Sequence, residues 1–84
     1  MKRLESIAAA HPRVGTLLSF EATNVRGQLA SIGFFPCEGT DDVDWLITDG
    51  DAPDAGVPVL HLNGKISIYG LKQAVIALFD GRED

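Results

Sequence analysis

The chain has 84 residues, is 45% hydrophobic and carries a formal net charge of −5 at pH 7, with a single Cys and a single Trp. A chain of this length supports one domain (1–84) around one modest core. One Cys excludes an intramolecular disulfide framework, and no apolar run approaches the roughly 20 residues that a membrane-spanning helix needs. Lys2-Arg3 and Ala8-Ala9-Ala10 are similar to the ends of a signal peptide, but Glu5 and Ser6 interrupt the short stretch between them. No export signal is read, and a cytoplasmic setting is expected.

Leu4, Ile7 and Ala8 stand at helical spacing, and Pro12 forbids continuation, which predicts a short amphipathic helix over 2–10. From Thr16 to Thr23, Leu18, Phe20 and Ala22 alternate with polar residues, the period of a half-buried strand. Asn24-Val25-Arg26-Gly27 reads as a turn, and the alternation resumes over 28–35 with Ala30, Ile32 and Phe34, so 16–35 is expected to be an antiparallel hairpin ended by Pro36. Residues 41–48 fit either a strand (Val43, Trp45, Ile47) or a short helix capped by Thr40, and strand is the preferred reading. Residues 49–57, with two Gly and one Pro, read as a loop.

Asn63-Gly64 is the favoured dipeptide of a two-residue turn, which predicts a second hairpin over 59–69. Leu71, Ala74, Val75, Leu78 and Phe79 then form one broad apolar face of a helix over 71–80, with Gly81 as its stop and Ile76 on the flank. The expected fold class is α+β: a short N-terminal helix, an antiparallel sheet of about four or five strands, and a C-terminal helix packed on the sheet.

The run GVPVLHLNGKISIYGLKQAVIALFDG, residues 56–81, resembles the C-terminal half of a glutaredoxin or thioredoxin-like domain. It has Val57-Pro58 at the start of a strand, a tight hairpin, Gly70 and a closing helix. The resemblance implies an upstream strand and a helix following a redox Cys. Residues 13–57, which read as strands and loops, depart from that pattern, and Cys37 has no Cys-x-x-Cys partner.

No catalytic constellation is found. A calcium loop begun at Asp49 matches at Asp51 but meets Pro53, Asp54 and Leu60 where the fifth, sixth and twelfth positions need an oxygen ligand, a Gly and a Glu. Asp49, Asp51 and Asp54 therefore read as a solvated turn rather than a metal site. Cys37, with His11 and His61 as conceivable bases, reads as a small packed thiol, and His61 as a packed strand residue. No metal and no cofactor is expected, and the chain is not read as an enzyme.

The sharpest feature is EGTDDVDWLITDGDAPD, residues 38–54, where seven carboxylates occur without a Lys or Arg. The other 67 residues hold five acids and seven bases, a net +2. Direct nucleic-acid and anionic-membrane binding are disfavoured, since phosphate contacts need clustered cations. The expected partner surface comprises Glu38, Asp41, Asp42, Asp44, Trp45, Asp49, Asp51 and Asp54, with Trp45 as either an aromatic anchor or a core residue. The expected function is a small acidic interaction module, an inhibitor or adaptor that docks this edge on a basic protein surface or nucleoprotein complex. Phage-type inhibitors, anti-CRISPR proteins among them, are the class analogy. The alternative is an assembly subunit forming homo-oligomers through the apolar faces of 59–69 and through Ile76, and behind it a degenerate thioredoxin-like or metal-dependent protein relying on Cys37 or the Asp cluster.

Overall fold

The computed structural model describes residues 2–19, 22–62 and 66–80. Its elements are α1 (Lys2–Ala10), β1 (Arg13–Leu17), α2 (Asn24–Ser31), β2 (Phe35–Glu38), β3 (Trp45–Thr48), β4 (Val59–His61) and α3 (Ile68–Asp80). The strands form one sheet in the order β2-β1-β3-β4. Every pairing is parallel, with Arg13 opposite Phe35, Val14 opposite Trp45 and Leu46 opposite Val59.

This corrects the antiparallel expectation for both hairpins. The predicted hairpin over 16–35 is instead β1, α2 and β2, a crossover unit in which the helix lets two strands run the same way. Val25, Leu29 and Ile32 follow a helical period, and the first two are fully buried. Gly27, read as a turn residue, lies on the outer face of α2, where an added Cβ would meet nothing within 4 Å. The helix is ended by Gly33 at φ 104°, with Gly33 N–H donating to the Ala30 carbonyl and Phe34 N–H to that of Leu29. That pair of bonds is a Schellman cap, and it sets Phe34 into the core beside Leu29.

The hairpin over 59–69 is also replaced. β4 pairs with β3 in parallel, Asn63-Gly64 lies outside the described residues, and α3 begins at Ile68 rather than at 71. Ser67 is the reason: its hydroxyl accepts the Gly70 N–H at 3.0 Å and its carbonyl the Leu71 N–H at 2.9 Å, an N-cap arrangement. The antiparallel hairpin that carried the likeness to thioredoxin-like domains is thus not formed by Ile66 to Tyr69. The expected helix over 2–10 and the loop over 49–57 match the structure, while the strand expected over 41–48 forms only at Trp45–Thr48, 41–44 being the turn before it.

Paired residues in a parallel sheet share a face, so Val14, Trp45 and Ile47 point to one side and Gly15, Leu46 and Thr48 to the other. The first side holds the core. There Leu4, Ile7 and Ala8 of α1, Val25 and Leu29 of α2, and Leu71, Val75 and Phe79 of α3 cluster with the three strand residues. β3 is buried at all four positions, which explains why its sequence is nearly continuous apolar rather than alternating. Trp45 lies at the centre, edge-on to Phe34 and Phe79, and its indole N–H donates to the His11 carbonyl at 3.2 Å.

On the other side the 39–44 segment returns from the end of β2 to the start of β3 across Gly15. A Cβ there would sit 2.5 Å from Leu46 Cδ2 and would run into the Gly39 carbonyl oxygen, so only Gly lets the segment lie against the strand. β2 is a sheet edge. Phe35 N–H donates inward to the Pro12 carbonyl, so positions 36 and 38 turn outward, and Pro36 has no N–H to offer there.

Candidate functional site

The acidic run is not one continuous edge. It supplies one segment that returns over the sheet face opposite the core and a second that leaves the end of β3. The first, 39–44, crosses Gly15. The second starts after β3, where the Thr48 hydroxyl on that same face accepts the Gly50 N–H at 3.1 Å and donates towards the carbonyls of Leu17 and Asp51.

The seven carboxylates divide by what they do. Glu38, exposed at the end of β2, pairs with Arg26 of α2 at 3.1 Å, a surface pair of about 0–1 kcal/mol. Asp44 completes the β1–β3 ladder: its carboxylate accepts the Arg13 N–H at 3.0 Å and its own N–H donates to the Arg13 carbonyl at 2.7 Å. Asp49 takes both the hydroxyl and the backbone N–H of Ser19, clamping the chain after β1 to the end of β3. The Ser19 hydroxyl, then the Ser19 N–H, hold the Asp49 carboxyl below its ordinary value because both donate to the charged form.

The other four are exposed. Asp41 and Asp42 sit in the turn before β3, Asp42 in the left-handed region at φ 56° with its carbonyl accepting Arg13 Nε–H at 2.7 Å. Asp51 and Asp54 lie on the second segment. Among the described residues, the carboxylates of Asp41, Asp42, Asp51 and Asp54 have no hydrogen-bond or ion-pair partner.

Trp45, the aromatic that the sequence places inside this run, is 0% exposed and belongs to the core, so it offers no surface to a partner. The exposed aromatic nearby is Phe35 at 61%, on β2, with the Arg13 guanidinium 5.9 Å from its ring centre. The sequence gives a signal for it that was missed: in Phe34-Phe35-Pro36, Phe34 caps α2 and faces the core, which turns its neighbour outward.

Cys37 is half-buried opposite Gly15, and its thiol lies 3.5 Å from the Phe35 carbonyl. His61 is exposed at the end of β4, correcting its reading as a packed strand residue. His11 stacks on Phe79 at 4.7 Å, well removed in role from either. Among the described residues no three His, Cys, Asp or Glu side chains come together as a metal site, and no helix is long and apolar enough to cross a membrane. Comparison of the chain with protein-family models, curated proteins and solved structures returns no match.

Proposed function

We propose that this chain is a non-enzymatic interaction module that docks its acidic face on a basic protein surface. The observation that carries the reading is the set of four exposed carboxylates, Asp41, Asp42, Asp51 and Asp54, unengaged among the described residues and borne by the segment before β3 and the segment after it. Such a face steers a positively charged partner by long-range attraction and gives the encounter a preferred orientation. A partner whose cations ordinarily hold nucleic-acid phosphates would be occluded by it, which makes the module an inhibitor or an adaptor of the anti-CRISPR kind by class. Direct binding to nucleic acid or to an anionic membrane is disfavoured by the same charges.

The division of labour among the acids sets the experiment. Asp44 and Asp49 are bound into the fold, so the informative variant changes Asp41, Asp42, Asp51 and Asp54 to Asn and leaves those two intact. Native and variant chains are used as bait at low and moderate salt, with circular dichroism confirming equal folding. Retention of a basic protein by the native chain that falls with salt and is absent from the variant supports the proposal; equal retention by both overturns it.

Homo-oligomerisation is the second reading, favoured by the exposure of Ile68 at 37% and Tyr69 at 70% at the start of α3. Light scattering at micromolar concentration decides it. Dissociation on Tyr69→Ser is expected if that patch joins two copies.

A further inference from the structure

A cleft of about 420 Å³ opens between α1 and α3, apart from the acidic face. On α1 its lining follows one helical stripe, Arg3, Ser6, Ile7 and Ala10, at successive spacings of three, one and three residues. Ile7 and Phe79, 3% and 8% exposed, line it from the core. The His11 ring, stacked on Phe79 with an interplanar angle of 22°, adds a flat aromatic surface, and Pro58 completes the lining.

The volume lies within the range of small-molecule sites, roughly 300–1,000 Å³, and the composition has the same logic: a mainly apolar lining with a few polar groups. Three polar side chains contribute, the Arg3 guanidinium, the Ser6 hydroxyl and the His11 imidazole. Among the described residues Arg3 is the only charged group in the lining, and a guanidinium fork matches a carboxylate better than it matches any neutral acceptor. A carboxylate of the chain already reaches it. Asp80 places one carboxylate oxygen 2.8 Å from Arg3 Nε and 2.5 Å from Nη2.

We infer that the α1–α3 cleft is a binding site for a small planar aromatic carboxylate. The ring of the ligand lies against the flat His11–Phe79 stack, and its carboxylate goes to Arg3. Asp80 competes with the ligand for the guanidinium and so lowers the affinity, a role that a merely structural ion pair would not have.

Benzoate is the probe and benzamide its neutral counterpart, titrated into the full chain while amide resonances are followed by NMR. A single aromatic carboxylate of this size should saturate at about millimolar concentration. Shifts are expected at residues 3–11, 58 and 79–80, and the Trp45 indole N–H should move with them, because it is bonded to the His11 carbonyl. Ala10→Phe, a change at an exposed position, fills the cleft and should abolish the shifts with the fold retained. Asp80→Asn should tighten benzoate by about threefold or more and leave benzamide unchanged, while Arg3→Gln should make the two probes equal. Shifts that fail to saturate, or that survive Ala10→Phe, overturn the site; equal binding of benzoate and benzamide to the native chain overturns the assignment of a carboxylate.

Discussion

Gly15 and Asp49 show how single positions hold the irregular chain to the sheet, Gly15 by admitting the 39–44 segment and Asp49 by binding Ser19. At Gly15 the nearest obstacles to a side chain are a backbone carbonyl and a packed Leu46 methyl, neither free to move far, so Gly15→Ala should destabilise the protein by about 1–3 kcal/mol, read as a lower urea midpoint. Asp49 makes a different prediction. Its folded pKa is depressed from the ordinary value of 3.8, so its contribution to stability is present above that value and is lost as the pH falls through the lower folded value. Urea midpoints measured down that range should fall in the native chain. In Asp49→Asn they should start lower at neutral pH and show a shallower acid limb, and Ser19→Ala should behave in the same way because it removes the hydroxyl donor.

At the scale of the element, α2 offers two glycines with opposite expected effects. Gly27 has room for a methyl group in a helix interior, and Gly27→Ala should stabilise by about 0.5–1 kcal/mol. Gly33 carries the positive φ of the helix cap, and Gly33→Ala should cost about 1–2 kcal/mol. Thermal melts of the two variants should move in opposite directions. These residues also explain why α2 was not legible as a helix. A Gly near its centre, after Asn24, imitates a turn, and the spacing of Ala30, Ile32 and Phe34 imitates a strand, while the Val25–Leu29–Ile32 period that the core selects is carried by only three side chains.

The helices with broader apolar faces, α1 and α3, were legible at their cores. The start of α3 was misplaced because the apolar run from Ile66 to Tyr69 outweighed Ser67, whose hydroxyl is the cap. The parallel sheet was not legible, because alternation along one strand says which residues share a face and nothing about the direction of its neighbour. Of the candidate site, charge was legible and burial was not. Asp44 and Asp49 are indistinguishable from Asp41 and Asp51 until Arg13 and Ser19 come into contact with them.

The whole molecule is built asymmetrically, with three helices on one sheet face and irregular chain on the other. Trp45 lies where elements from across that core meet, beside Phe34 at the end of α2, Phe79 of α3 and the His11 carbonyl after α1. Loss of any of these should expose it. Unfolding followed by Trp45 fluorescence and by far-ultraviolet circular dichroism should therefore give coincident transitions, as a single cooperative unit requires. A separation of the two curves would mean that one layer of helices melts before the sheet.

Pro36 bears on what the molecule can build with copies of itself. A strand can be added to a sheet only where outward N–H and C=O groups are both on offer, and β2 lacks a donor at the centre of its outward side. β4, at the opposite margin, carries no proline and keeps the groups of Val59 and His61. Two copies joined edge to edge through β4 would each leave only the blunted margin outward. Growth by strand addition would therefore stop at a pair, and one imino acid would serve as a chain terminator against fibrils.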